Sequence, residues 1–194
     1  MAGTGTPFVM ISTGSPTTTI ANGNTINNLT RSGATGTIRG IAMTSPTNFT
    51  ANLNSISNIS FTLATSTGSI DGIYGFSSGV NVTANNNFIR DLSVPSTGTI
   101  SGITEFGAAG NKTFQLNEIY NFTTSAGGAG GSTFRGISAS IGNINASQNK
   151  IYRYILILTA FLPNLKYRSY ALSANKAPIN HCLIVCLDSR SLSA

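Results

Sequence analysis

Short apolar runs separated by polar turn residues recur along the first 154 residues of the chain. One phrase, Asn-x-Ile-x-x-apolar-(Ser/Thr), occurs five times, although its last copy has Ile155 where Ser or Thr is expected. The copies are 30, 33, 30 and 32 residues apart, and they begin at Asn24, Asn54, Asn87, Asn117 and Asn149. A fixed period of this size is typical of a solenoid, in which each repeat forms one coil.

A second phrase, Thr/Ser-apolar-x-Gly-Ile, keeps step with the first. Its glycines are 32, 30 and 34 residues apart, at Gly40, Gly72, Gly102 and Gly136. A degenerate copy at residues 6–11 has Met10 in the place of the glycine. The glycine column predicts a close approach of neighbouring backbones or special backbone dihedrals.

The residue types of the repeats favour strands over helices. They are rich in Ile, Val, Phe, Thr, Ser, Asn and Gly, and no stretch shows a sustained apolar pattern at helical spacing. Each repeat is therefore predicted to form two or three short strands bounded by turns. Stacked coils would place equivalent residues roughly 4.8 Å apart.

Stacking turns each repeated position into a column. One apolar column is Ile26, Ile56, Ile89, Ile119 and Ile151, and a second is Leu29, Ile59, Leu92, Phe122 and Tyr154. The two columns are three residues apart, so both can face inward only if the chain bends between them. Asparagine tolerates such bends, and we assign the bend to the first Asn of the phrase. Asn24, Asn54, Asn87, Asn117 and Asn149 should then form an architectural ladder of stacked amides.

The two phrases resemble those of the right-handed, single-stranded parallel β-helix of pectate-lyase-like proteins. They are similar, more narrowly, to the repeat regions of secreted Bacteroidetes surface proteins, over about residues 6–154. The resemblance implies an all-β solenoid of about five coils and a secreted or cell-surface location. It implies no single activity, because this fold carries lyases, hydrolases, adhesins and plain stalks.

The chain changes character after Tyr154. We divide it into β-helix repeats at residues 1–154 and a non-repeat tail at residues 155–194, which is either a C-terminal cap or an out-of-frame segment. His181, Cys182 and Cys186 lie in this tail at a spacing that does not fit a structural zinc site. We expect no metal and no cofactor.

Charge is sparse and spread thinly. The 194 residues include 11 basic and 5 acidic ones, giving a net charge of +6. No run of Lys or Arg occurs, which argues against nucleic acid as a partner. No apolar stretch approaches the roughly 20 residues that span a bilayer. No signal peptide is visible in residues 1–5, so a secreted location predicts a truncated chain.

Candidate chemistry is limited to one polar column. Arg39, Asp71, Ser101 and Arg135 hold the same position in four successive copies of the Gly-Ile phrase, and could grip an acidic sugar. Asp71 beside Arg39 should be a surface ion pair of little energetic value. No two acids share a column, whereas glycoside hydrolysis uses a pair of carboxyl groups, so catalysis is not expected.

Three functions remain open from the sequence. The first is a non-catalytic structural or adhesive segment of a secreted or cell-surface protein that binds polysaccharide or a cell-surface glycan. The second is a polysaccharide lyase or hydrolase of the pectate-lyase-like fold. The third is ice binding, indicated by the Thr-Gly-Thr and Thr-Gly-Ser triplets that begin at Thr35, Thr67 and Thr97.

Overall fold

A computed structural model describes residues 7–13, 17–44, 46–76, 81–106, 110–125, 132–139, 142–158 and 185–186. All regular secondary structure in these residues is β-strand, arranged in three parallel sheets. Sheet A contains β1 (Phe8–Thr13), β4 (Thr37–Thr44), β7 (Ser69–Phe76), β10 (Thr99–Glu105) and β13 (Thr133–Ala139). Sheet B contains β2 (Thr18–Ile20), β5 (Asn48–Thr50), β8 (Asn81–Thr83), β11 (Asn111–Gln115) and β14 (Asn143–Ser147). Sheet C contains β3 (Thr25–Arg31), β6 (Ser55–Phe61), β9 (Phe88–Val94), β12 (Glu118–Ser125), β15 (Lys150–Leu158) and β16 (Val185–Cys186).

The chain visits sheets A, B and C in turn, five times. Each strand up to β15 pairs in parallel with the equivalent strand one unit earlier or later. The sequence prediction of an all-β parallel β-helix of about five coils is therefore confirmed. The Gly-Ile phrase forms sheet A, and the Asn phrase forms sheet C.

The core is a stack of matching apolar side chains. The register pairs Ile26 with Ile56, Ile56 with Ile89 and Ile89 with Ile119, and the last three of these are completely buried. Sheet A contributes its own isoleucines to the same cluster, and sheet B contributes Phe49 and Val82. Because every coil buries the same positions, one short apolar pattern repeated in sequence builds one continuous core.

The bend in sheet C lies at a different residue from the one predicted. The first Asn of the phrase does not adopt a left-handed conformation. The bend lies instead between the two apolar columns, where φ is 54–58° at Asn28, Asn58, Asp91, Asn121 and Arg153. A second left-handed residue turns the chain from sheet B into sheet C at Gly23, Leu53, Asn86, Leu116 and Gln148. Asparagine tolerates this conformation best among non-glycine residues. At the other residue types, Leu, Gln, Asp and Arg, the stacking of the coils on either side imposes it.

The glycines of sheet A mark close backbone contact between coils. A Cβ added at Gly72 would lie 2.7 Å from the carbonyl oxygen of Gly102 and 2.8 Å from Cγ2 of Ile89. Gly40 and Gly102 have equivalent surroundings. Sheet A can therefore lie close to sheet C only because these positions lack a side chain.

The last strands continue beyond the predicted repeat boundary at residue 154. β15 extends to Leu158, and Ile157 and Leu158 pair with Val185 and Cys186 of β16. The remaining residues of the predicted tail, 159–184 and 187–194, lie outside the described residues, and so do His181 and Cys182.

Candidate functional site

The repeated asparagines form a hydrogen-bonded column along the junction of sheets B and C. The backbone N–H and side-chain Nδ2 of Asn87 both donate to Oδ1 of Asn117, at 3.0 and 2.9 Å. Nδ2 of Asn87 also donates to the carbonyl oxygen of Ala51 at 2.8 Å. The same arrangement links Asn24 to Asn54, Asn54 to Asn87 and Asn117 to Asn149. Buried amides with these partners serve architecture, because they leave no polar group for a ligand.

A second amide row runs beside the first in the opposite sense. The backbone N–H of Asn52 donates to Oδ1 of Asn22 at 2.7 Å, and that of Asn85 donates to Oδ1 of Asn52 at 2.8 Å. Gln115 continues the row by donating its N–H to Asn85. The left-handed residue of the turn lies between the two rows. The side-chain oxygens of the rows accept hydrogen bonds from backbone N–H groups on either side of it, where the sheets are interrupted.

The predicted polar column of sheet A exists in the structure as a column. The register pairs Arg39 with Asp71, Asp71 with Ser101 and Ser101 with Arg135. Nε of Arg39 lies 3.4 Å from Oδ2 of Asp71, and the Arg39 guanidinium lies 3.5 Å from the centre of the Tyr74 ring. Arg39, Asp71 and Tyr74 therefore form a packed cluster in which the guanidinium is already paired and stacked.

Asp71 is more buried than the surface pair expected from the sequence. Its side chain is 12% exposed, and Thr104 donates its hydroxyl to Oδ1 of Asp71 at 3.2 Å. Burial raises the pKa of the Asp71 carboxyl, while the charge of Arg39 and the hydrogen bond from Thr104 oppose the shift. Ser101 is buried beside it, whereas Arg135 is exposed at the far end of the column.

The four described acids each have a separate partner. Asp91 pairs with Arg90 at 2.5 Å, Glu105 with the buried Lys112, and Glu118 accepts a hydrogen bond from the Tyr152 hydroxyl at 2.5 Å. With Asp71 bound to Arg39, none of these pairs joins two acids. Among the described residues, no three His, Cys, Asp or Glu side chains come together as metal ligands would.

Sheet C carries an aromatic surface that was not predicted from the sequence. Phe88, Tyr120 and Tyr152 are half-buried, and each lies next to an isoleucine of the core cluster, so their side chains point away from the core. The rings of Tyr120 and Tyr152 stack at 4.8 Å with an angle of 4° between their planes. Phe88 meets Tyr120 edge-on at 5.4 Å. We call this surface the aromatic face, and it comprises these three rings with the neighbouring Arg90, Lys150 and Arg153.

The aromatic face borders a shallow polar depression of about 280 Å³. Its polar lining includes Asp91, Asn121 and Arg153, all of which occupy the left-handed bend. Nδ2 of Asn121 donates to Oδ1 of Asp91 at 2.9 Å, which leaves the exposed Arg153 as the cation at this edge. In the sequence, the aromatic face is indicated only by the two residues that precede the second apolar column. They are Asn-Asn and Ser-Asn in the first two coils, and Arg-Asp, Tyr-Asn and Tyr-Arg in the last three.

Within the described part of the chain, no helix is long and apolar enough to cross a membrane. No protein-family model, curated protein or solved structure matches this chain.

Proposed function

We propose that this chain is a non-catalytic adhesive segment that binds polysaccharide through the aromatic face of sheet C. The single observation that carries the proposal is the Tyr120–Tyr152 stack lying beside exposed cations and a polar depression. Aromatic rings offer apolar contact to the C–H groups of a sugar, and amides, hydroxyls and guanidinium groups bind its oxygens.

The charges of this face favour an acidic polysaccharide. The carboxylates of Asp91 and Glu118 are bound to Arg90 and Tyr152, respectively. Lys150 and Arg153 are exposed and form no ion pair with a described residue. A uronate carboxylate can pair with them, and a guanidinium can bind a carboxylate with two parallel hydrogen bonds.

Retention on immobilised polysaccharides tests this proposal. We expect the folded protein to bind polygalacturonate or alginate more tightly than neutral xylan. Tyr152→Ser and Arg153→Asn introduce residues found at these positions in other coils, and each should weaken binding about tenfold, which corresponds to about 1.4 kcal/mol. Asn27→Ser, in the same column as Tyr152, should have no effect. Equal retention of all four proteins would overturn the proposal.

Polysaccharide cleavage is the second candidate function, and Asp71 is the observation that favours it. A buried acid with a raised pKa beside Arg39 and Tyr74 is the kind of group that can act as a general acid. The solitary position of Asp71 counts against this candidate, because the other described acids are bound elsewhere. New reducing ends or unsaturated products from uronic polymers, lost in Asp71→Asn, would establish it.

A secreted or cell-surface location belongs to the same proposal. It rests on the resemblance of the two repeated phrases to pectate-lyase-like solenoids and to Bacteroidetes surface proteins. Expression of the gene with its native flanking sequence, followed by detection of the product outside the cell or on its surface, tests it. Retention of the product in the cytoplasm would refute it.

A further inference from the structure

The outer surface of sheet B presents a regular array of amides and hydroxyls. Phe49, Val82 and Lys112 point into the core, so the residues on either side of them point outward. We call this surface the amide face, and its four central pairs are Asn48 and Thr50, Asn81 and Thr83, Asn111 and Thr113, and Asn143 and Asn145. The register aligns these pairs directly from coil to coil.

The array is held at fixed spacings. Adjacent coils lie about 4.8 Å apart, and outward residues on one strand are about 6.6 Å apart. Nδ2 of Asn81 donates to Oδ1 of Asn48 at 3.0 Å, and Nδ2 of Asn143 donates to Oδ1 of Asn111 at 3.3 Å. These amide contacts restrict the side-chain rotamers, so the surface is ordered before any partner arrives.

The amide face is uncharged. Its outward residues from Thr18 to Ser147 are Thr, Ile, Asn, Gln and Ser, and none carries a charge or an aromatic ring. It differs in both respects from the aromatic face of sheet C. The last two pairs of the amide face line a shallow depression of about 580 Å³.

We propose that the amide face binds ice. An uncharged and rigid array with repeats of a few ångströms in two directions matches a partner that is itself a neutral hydrogen-bonding lattice. Amides and hydroxyls both donate and accept, as the water molecules of an ice surface do. Charged groups would instead hold strongly bound hydration shells that are costly to remove. The absence of outward aromatic rings makes a stacked sugar chain a poorer fit to this surface.

The amide face is a different surface from the one that carries the Thr-Gly-Thr triplets. Thr37, Ser69, Thr99 and Thr133 do share one column of sheet A. That column is a single row at the start of the strands, whereas the amide face has two parallel rows over four coils. An extended lattice contacts a two-dimensional array at more points, so sheet B is the better surface.

Thermal hysteresis and inhibition of ice recrystallisation by the full chain test the proposal. The unmodified protein should show both effects, and Thr83→Lys should lose them, because it places a hydrated charge at the centre of the array. Thr30→Lys is the matched control, since Thr30 is exposed on sheet C and outside the amide face. Thermal melting of both variants reports whether each remains folded, and Thr113→Lys serves as a second probe if Thr83→Lys unfolds.

Two outcomes would overturn the proposal. In the first, the unmodified, folded protein neither shapes ice nor slows its recrystallisation. This outcome overturns the proposal even if the protein adsorbs to crystalline cellulose or chitin. The other is equal loss of activity in Thr83→Lys and Thr30→Lys. Ice binding can be tested separately from the proposed polysaccharide binding. Tyr152→Ser alters only the aromatic face, so it should leave the effect on ice unchanged.

Discussion

The side chains of Glu105 and Lys112 contact each other inside the solenoid, with one carboxylate oxygen bound to the ammonium group. Glu105 is 1% exposed and Lys112 is completely buried. Each charged residue occupies a column that holds uncharged residues in the two preceding coils. Glu105 shares its sheet A column with Met43 and Gly75, and Lys112 shares its sheet B column with Phe49 and Val82. The second carboxylate oxygen, Oε1, has no hydrogen-bond partner among the described residues. Glu105 and Lys112 can therefore occupy core positions only because each compensates the charge of the other.

Removing one partner of this pair should be far more harmful than removing both. Lys112→Met leaves a buried carboxylate uncompensated and should lower the free energy of unfolding by about 3–5 kcal/mol. The double change Glu105→Met with Lys112→Val introduces residue types that other coils carry in these two columns, at Met43 and Val82, and should be neutral or stabilising by about 1–4 kcal/mol. Urea unfolding of the three proteins measures this, and a double variant less stable than Lys112→Met would show that the pair itself stabilises the fold.

The asparagine column should contribute strongly to stability at its centre. Asn87→Ala leaves the amide groups of Asn54 and Asn117 without the Asn87 side chain as their hydrogen-bond partner, and should lower the free energy of unfolding by about 1–3 kcal/mol. Asn81→Ala is the matched control, because Asn81 is exposed and makes one exposed side-chain contact. Thermal shifts of equal size for the two variants would contradict the structural role of the column.

The isoleucine column should behave as a hydrophobic core. Ile89 is completely buried, so Ile89→Ala should reduce the free energy of unfolding by about 2–5 kcal/mol. Ile20 is 65% exposed, and Ile20→Ala should change it by no more than about 0.5 kcal/mol. Chemical denaturation distinguishes the two, and a tolerated Ile89→Ala would place this column outside the core.

Two glycines should differ in their tolerance of substitution. At Gly72 an added methyl would meet Gly102 and Ile89, so Gly72→Ala should destabilise the protein by about 1–3 kcal/mol. Gly23 has φ of 67° with nothing within 4 Å of an added Cβ, and the equivalent residue Asn86 has φ of 55°. Gly23→Asn should therefore stay within about 1 kcal/mol of the unmodified protein. Matching melting points for the two variants would argue against close packing at Gly72.

The Tyr152 hydroxyl should titrate at unusually high pH. Its hydrogen bond to Glu118 is the main cause that raises its pKa from 10.0 to about 12. Since this folded-state pKa lies above the unfolded value, the stabilising contribution is complete below pH 10 and is lost as pH rises towards 12. The ultraviolet tyrosinate signal, taken as the difference from Tyr152→Phe, follows this group. Glu118→Gln should lower the midpoint, and an unmoved midpoint would exclude the hydrogen bond as the cause.

The overall architecture was predictable because the same positions repeat in every coil. Ile26, Ile56 and Ile89 recur at a constant spacing, and parallel stacking is the arrangement that buries all of them together. The glycines of sheet A were predictable for the same reason, since each coil needs the same close approach.

Features that differ from coil to coil were not predictable. Left-handed bends lie at Asn58, Asp91 and Arg153 alike, so residue type alone does not identify the position, which packing of the flanking apolar columns determines. The Glu105–Lys112 pair forms across two sheets at positions where neighbouring coils carry apolar residues. The aromatic face depends on which outward positions of successive coils become adjacent, and this requires the register to be known.

The most direct test of the proposed function is incubation of the folded, unmodified protein with polygalacturonate, with bound protein and released sugar ends measured in the same sample. We expect that the protein is retained by the polymer and that no new reducing or unsaturated ends appear. Retention should fall in Tyr152→Ser and Arg153→Asn. Release of sugar ends, or failure of the folded protein to bind acidic polysaccharide at all, would contradict the proposed function.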